Sequence, residues 1–207
     1  MNYNIIKYIK KLNKKPSVQR RLLEHFIAQG ASTIPEMSKG IGVSLPTATH
    51  ALNELIKGGL VKEIGKKDNS PGRIPMVYDL MPNAGYFVGV NPEMDCLAFA
   101  ASDFCGNLIT KKIKVPYVYR NTPENLERLG EIINEFIAGL PISKEEILQV
   151  CVNVAERVNP FEGKAYNMFT FLENPLAEKL TELIQLPVCI ENDTRSMAFA
   201  EFIKGCC

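Results

Sequence analysis

No stretch of the 207-residue chain approaches the roughly eighteen uncharged apolar residues that a membrane span requires. Its opening segment, MNYNIIKYIKKLNKK, is too polar for the apolar core of a signal peptide. Both absences point to a cytoplasmic protein with no membrane partner. Cysteine is present but unpatterned: Cys96, Cys105, Cys151, Cys189, Cys206 and Cys207 include no CxxC pair and no histidine at zinc-ligand spacing. No metal or cofactor is therefore expected, and most of these thiols are expected to be buried small hydrophobes. Apolar residues are not scarce. At 46% hydrophobic content the chain can bury a real core, which argues against disorder, and its length favours two compact units over one.

The net charge of +1 conceals a division. Residues 1–80 hold 13 Lys and Arg against 6 Asp and Glu, giving +7, and residues 81–207 hold 11 against 17, giving −6. A basic module thus precedes an acidic one, with the boundary placed at 80/81. A basic module calls for an anionic partner, most commonly nucleic acid.

Within the basic part, SVQRRLLEHFIAQG carries Leu22, Leu23, Phe26 and Ile27 at helical spacing, between a start at Ser17 and a stop at Gly30. Thr33 and Pro35 open a second helix, TIPEMSKGI, ended by Gly40 and Gly42. Ser44 caps a third, SLPTATHALNELIKGG, with Pro46 in its first turn. At 100° per residue Ala48, Leu52 and Leu55 share one face, edged by Ala51 and Ile56, while Pro46, Thr47, His50, Asn53 and Lys57 point away. Short hydroxyl, imidazole and amide groups on an outward face can reach base edges in a major groove. LVKEIG and IPMVYDL then read as two strands around a hairpin loop, KKDNSPGR. Helix, helix, helix, hairpin is the order of a winged helix-turn-helix. In that reading Arg73 enters an adjacent minor groove, while Lys62, Lys66 and Lys67 neutralise phosphates. The plainer alternative is a small helical domain whose polar face is merely solvated. The preceding NYNIIKYIKKLNKK sets an apolar stripe beneath lysines and is expected to cover this module or to pair with a second subunit.

After a hinge at MPNAG, the acidic part alternates and breaks at turn residues to give an antiparallel meander, roughly 86–90, 96–102 and 108–115. Thr122 caps a long helix burying Leu126, Leu129, Ile132, Ile133, Phe136 and Ile137. The strand ILQVCVNVA, a helix near PLAEKLTELIQL, the strand PVCIEN and the helix TRSMAFAEFIK follow.

Taken together, SLPTATHALNELIKGGLVKEIG, SPGRIPMVYDL, YFVGV, DFCGNLI and LPVCIENDTRSMAFAEF resemble, in this order, the ROK family of sugar-responsive repressors and sugar kinases. The resemblance covers nearly the whole chain. It implies an α+β protein: an N-terminal winged helix-turn-helix (1–80) followed by one RNase H-like lobe of the actin and sugar-kinase type with a mixed sheet (81–207). Family kinases carry a phosphate loop of the form DxGGT after the first strand, whereas this chain has Asn91, Pro92, Glu93, Met94 and Asp95, without the glycines and with carboxylates that would repel phosphate. The segment VAERVNP likewise lacks the glycines of a second family loop. The resemblance places Asn192 and Asp193 at positions that bind sugar and act as general base in the kinases. In a repressor this pair would hold an effector, and Asp193 could equally serve as the cap of the last helix. Family members usually continue into a second lobe, so the sequence reads as a truncated member.

The expected function is a sequence-specific DNA-binding regulator, a repressor of sugar metabolism, with no catalytic residue and a degenerate lobe for sensing or assembly. Its expected partners are double-stranded operator DNA, a sugar or sugar-phosphate effector, and a second copy in a homodimer. The alternative is a ROK-type sugar kinase with a regulatory DNA-binding head. A third possibility is a winged domain used for protein contacts or as a membrane-tethered scaffold.

Overall fold

A computed structural model describes residues 17–66 and 75–205. The chain divides into two compact units that meet at Ala84 and Gly85, within the expected hinge rather than at residue 80. Pro82–Ala84 make a short 3-10 turn there.

The first unit begins with helix α1 (Val18–Gln29), whose Ser17 Oγ accepts from the Arg20 N–H. Gly30 ends it with φ of 72°, a backbone state open to glycine at little cost. The two-residue strand β1 (Ser32–Thr33) follows, then α2 (Ile34–Ile41). The Glu36 carboxylate accepts from both the Thr33 N–H and hydroxyl at 2.8 Å, tying off the start of α2 in capping-box fashion. The helix ends at Gly42, in the left-handed region, and Gly40 lies inside it rather than at its end. A Cβ at Gly40 would stand 2.6 Å from the His25 ring, so that glycine serves helix packing. Helix α3 (Leu45–Lys57) and the antiparallel strands β2 (Val61–Lys66) and β3 (Met76–Leu80) complete the unit. The sheet order is β1-β3-β2, and Lys66, assigned to the loop from sequence, pairs with Met76. Leu22, Phe26, Met37, Ala48, Leu52, Leu55, Leu60 and Val61 are buried between helices and sheet. Transfer of such side chains from water supplies about 1.5–3 kcal/mol each.

The second unit opens with the expected meander, β4 (Tyr86–Pro92), β5 (Cys96–Asp103) and β6 (Leu108–Pro116), all antiparallel. Helix α4 (Pro123–Ala138) starts at Thr122, whose side chain accepts from the Asn125 N–H. Strand β7 (Ile147–Val154), helix α5 (Leu176–Ile184), strand β10 (Val188–Asn192) and helix α6 (Asp193–Lys204) follow. A small ladder of β8 (Val158–Asn159) and β9 (Lys164–Ala165) falls between β7 and α5, partly where VAERVNP reads as a loop. The sheet order is β10-β7-β4-β5-β6, with β7 parallel to both β4 and β10. This mixed sheet is the RNase H-like arrangement expected from the sequence.

The period of two along β7 sorts its side chains between two faces. Val150, Val152 and Val154 point into a core with Val88, Val90, Leu97, Phe99 and Ile190, beneath α4 and α5. Phe99 stacks on Phe136 of α4 with ring centroids 4.7 Å apart. All six apolar residues read as the buried side of α4 are buried. The other face of the sheet carries Cys151 and Asn153, with α6 packed against β7 and β10.

Among the described cysteines only Cys96 is buried, whereas Cys105, Cys151 and Cys189 are half-buried. The expectation of mostly buried thiols fails because Cys151 and Cys189 fall on the sheet face that α6 covers incompletely. Among the described residues, no helix is long and apolar enough to cross a membrane.

Candidate nucleic-acid interface and lobe site

Helix α3 is fixed at both ends and along one side. Ser44 Oγ accepts from the Thr47 N–H at 3.3 Å and lies 2.8 Å from Thr47 Oγ1. Pro46 sits in the first turn, where no intrahelical N–H partner is needed. Gly58 and Gly59 close the helix, Gly59 at φ of 74°. With Ala48, Ala51, Leu52 and Leu55 buried, Pro46, Thr47, His50, Asn53 and Lys57 are all exposed. The structure therefore brings the five predicted α3 residues onto one outward side.

Their freedom differs. The Thr47 hydroxyl is engaged with the cap, and the His50 side chain, 80% exposed, places Nε2 3.8 Å from Glu54 Oε1. The same Glu54 carboxylate accepts from Gln19 Nε2 of α1. The Glu54 carboxylate would repel a phosphate, and the neutral Gln19 amide orients it without removing its charge. Sequence reasoning missed Gln19 and Glu54, because nothing in either helix alone shows that they meet. Arg21 was missed for the same reason: its Nη2 donates to the Ile41 carbonyl and ties α1 to the end of α2. Lys57 and Lys66 are exposed, whereas Lys62 is half-buried and faces Asp79 across the β2–β3 ladder. Lys67 and Arg73 lie outside the described residues, as does the basic segment before Ser17.

In the second unit the predicted pair Asn192 and Asp193 lies at the carboxyl end of β10, where α6 begins. The cap of α6 is Asn192 and not Asp193. Asn192 Oδ1 accepts from the Arg195 N–H at 2.9 Å. Its Nδ2 donates to the Glu156 carbonyl at 3.1 Å and, more weakly, to Val154 O at 3.5 Å. The physical reason is backbone conformation: Asn192 is extended and still paired with Val154, its Oδ1 reaches the Arg195 N–H, and Asp193 is already helical, so the helix starts one residue earlier than TRSMAFAEFIK implies. Asp193 is the first helical residue, and its Oδ1 accepts from the Thr194 N–H at 2.6 Å and the Thr194 hydroxyl at 3.2 Å.

Residues around this corner that sequence reasoning did not single out are Asn153, Glu156 and Ser196. Ser196 donates to Asn153 Oδ1 at 2.8 Å, fastening α6 to β7. The Glu156 carboxylate accepts from the Asn167 and Met168 N–H groups at 2.6 and 2.8 Å, holding the following loop. The polar positions of a strand alternating like β7 were the available signal for Asn153.

Residues 91–95, which the resemblance sets against a phosphate loop, lie in a closed hairpin between β4 and β5. The Glu93 N–H donates to Cys96 O at 2.8 Å, and Cys96 Sγ donates to Glu93 Oε2 at 3.3 Å. Burial, with the carboxylates of Glu93 and Asp95 adding to it, pushes the Cys96 thiol up to about 11. Among the described residues no group of three or more His, Cys, Asp or Glu could hold a metal ion.

A model described as the ROK family matches residues 96–206, more than half of the chain. The chain belongs to the ROK family. This ROK chain is 24% identical over 200 residues to the xylose repressor of Bacillus subtilis (strain 168), covering 96% of itself and 50% of that protein. It is also 24% identical over 203 residues to the xylose repressor of Caldicellulosiruptor bescii, covering 97% of itself and 49% of that protein. A crystal structure described as a ROK family transcriptional regulator, homologous to the E. coli MLC protein, superposes with a TM-score of 0.67 at 20% identity, covering 99% of this chain and 49% of that one. That likeness shows the fold. The ROK chain spans about half the length of the curated relatives it matches.

Proposed function

We propose that this chain carries the operator-binding head and first lobe of a cytoplasmic sugar-responsive repressor. The observation that carries the reading is the exposed side of α3, where Thr47, His50, Asn53 and Lys57 stand clear of a packed apolar side. Such a helix can lie in a major groove with its outward side chains on base edges. Lys57, Lys66, Lys67 and Arg73 would supply sequence-independent attraction to phosphates, with Lys62 contributing less because it is half-buried beside Asp79. One module of this size reads few base pairs, so two copies on a palindromic site would act together. The xylose-repressor names of its relatives support a sugar or sugar phosphate as effector.

In this reading Asp193 offers the effector its Oδ2, since the described hydrogen bonds fall on Oδ1. Asn192 supports it as the cap of α6 rather than as a ligand. Effector binding would act by changing the separation of two reading helices, which is coupling between sites and not catalysis.

The kinase alternative meets the hairpin at residues 92–96, where the Glu93 N–H is spent on Cys96 and two carboxylates flank the turn. Selection of bound fragments from genomic DNA by the purified chain tests the main reading. Enrichment of one palindromic motif is expected, and an unenriched pool would refute it. ATP consumption in the presence of a hexose would instead establish the kinase.

A further inference from the structure

Cys151 on β7 and Cys189 on β10 are register partners in adjacent parallel strands. Residues so paired point to the same face of a sheet, and neighbouring strands lie about 4.8 Å apart. That spacing falls within the roughly 4.4–6.8 Å between Cα atoms that a disulfide tolerates. The sheet row continues from Cys189 and Cys151 through Gly89 of β4 to Ala100 of β5. Gly89 has no side chain and Ala100 is exposed. The half-buried thiols are therefore open on their β4 side, although α6 packs near them.

We propose that Cys151 and Cys189 form a reversible thiol–disulfide site that takes a small two-electron oxidant of the peroxide class. Cys151 is the attacking group, because it stands between Cys189 and the opening at Gly89. Contact with Cys189 draws the Cys151 thiol below its ordinary value against burial and Glu191, and Cys151 Sγ also donates to Asn153 Oδ1 at 3.9 Å. Thiolate character sets which cysteine meets an oxidant first. The Cys151 thiolate attacks one peroxide oxygen, the O–O bond breaks, and hydroxide leaves to be protonated to water, giving a sulfenic acid. The Cys189 sulfur then attacks that sulfur, an S–S bond forms, and the sulfenic oxygen departs as a second water with the Cys189 proton. Two thiols lose two electrons in all, and one peroxide becomes two waters. Both sulfurs are half-buried rather than enclosed, and accessible disulfides are the readily reduced ones. The link would join β7 and β10 just before Asn153 and Asn192, the residues that hold α6.

Trypsin separates the two cysteines into peptides 145–157 and 180–195, and leaves Cys206 and Cys207 in a third. After hydrogen peroxide treatment of the full chain and alkylation, peptides 145–157 and 180–195 are expected to be cross-linked, and dithiothreitol to separate them. Cys189→Ser is expected to leave a sulfenic acid on Cys151 that dimedone traps, which keeps the test independent of whether the disulfide closes. Recovery of both peptides separately alkylated, at peroxide levels that already modify Cys105, would overturn the proposal. Dimedone labelling of Cys189 in Cys151→Ser that equals the labelling of Cys151 in Cys189→Ser would overturn the assignment of Cys151 as the attacking thiol.

Discussion

Replacing Asn192 by alanine removes both jobs of one side chain. The Arg195 N–H loses its cap acceptor, which costs about 1 kcal/mol at a helix start. The Glu156 carbonyl loses the Nδ2 donor at 3.1 Å, and a partly buried acceptor left without its partner costs about 1 kcal/mol more. Together about 2 kcal/mol is expected, and with a urea dependence of about 2 kcal/mol per molar the midpoint should fall by about 1 M. Asn192→Asp keeps the Oδ1 acceptor and gains favourable charge at the helix start, so it should lose about half as much. The readout has to belong to the second unit, because unfolding of two units need not be one transition. Hydrogen exchange of β7 and β10 peptides through a urea series supplies it. A midpoint for Asn192→Ala within about 0.2 M of the parent, together with lost effector binding, would show that this side chain serves a ligand and not the helix.

Gly40→Ala should destabilise the first unit by about 1 kcal/mol net, the steric cost at the His25 ring outweighing the better helix propensity of alanine; thermal unfolding of Gly40→Ala alone and with His25→Ala checks this, since removing the ring should erase the penalty. His25 is held below its ordinary value, by burial against a smaller opposing effect of Glu36. The unfolded chain therefore binds its proton first, and stability present above about pH 6.5 should decline as pH falls through that value towards the lower folded one. Urea titrations at pH 7.5 and 5.5 measure it, and His25→Gln should flatten the difference. Asn53→Ala should change which duplexes are preferred, whereas Lys66→Ala should weaken all of them alike; a uniform loss for Asn53→Ala in competition binding would make it a backbone contact.

Much of both units was legible in the sequence because their periodicities are long and clean. The meander at 86–116 alternates over several residues per strand, and the buried stripe of α4 repeats through four turns. Strand β1 was not legible: Ser32 and Thr33 are too few to show a period, and their burial comes from pairing with Val77 and Tyr78 far along the chain. The α6 cap was misplaced because Asn192 and Asp193 are both good cap residues, and only the pairing of Asn192 with Val154 decides between them. On α3 the outward residues could be named from spacing alone. Their partners could not, because the contact of Gln19 with Glu54 joins two helices. The thiol pair was hidden for the same reason, its members lying 38 residues apart until parallel pairing sets them side by side.

The central claim is that a basic head grips duplex DNA through phosphates while α3 selects the sequence. Equilibrium binding of the purified chain to a labelled duplex, followed by fluorescence anisotropy across a salt series, tests it most directly. The affinity should fall linearly on logarithmic axes, with the slope shrinking by about 0.9 for each phosphate-contacting lysine, Lys57 or Lys66, replaced by alanine. An absence of binding at low ionic strength, or a slope unchanged when both lysines are removed, would contradict it.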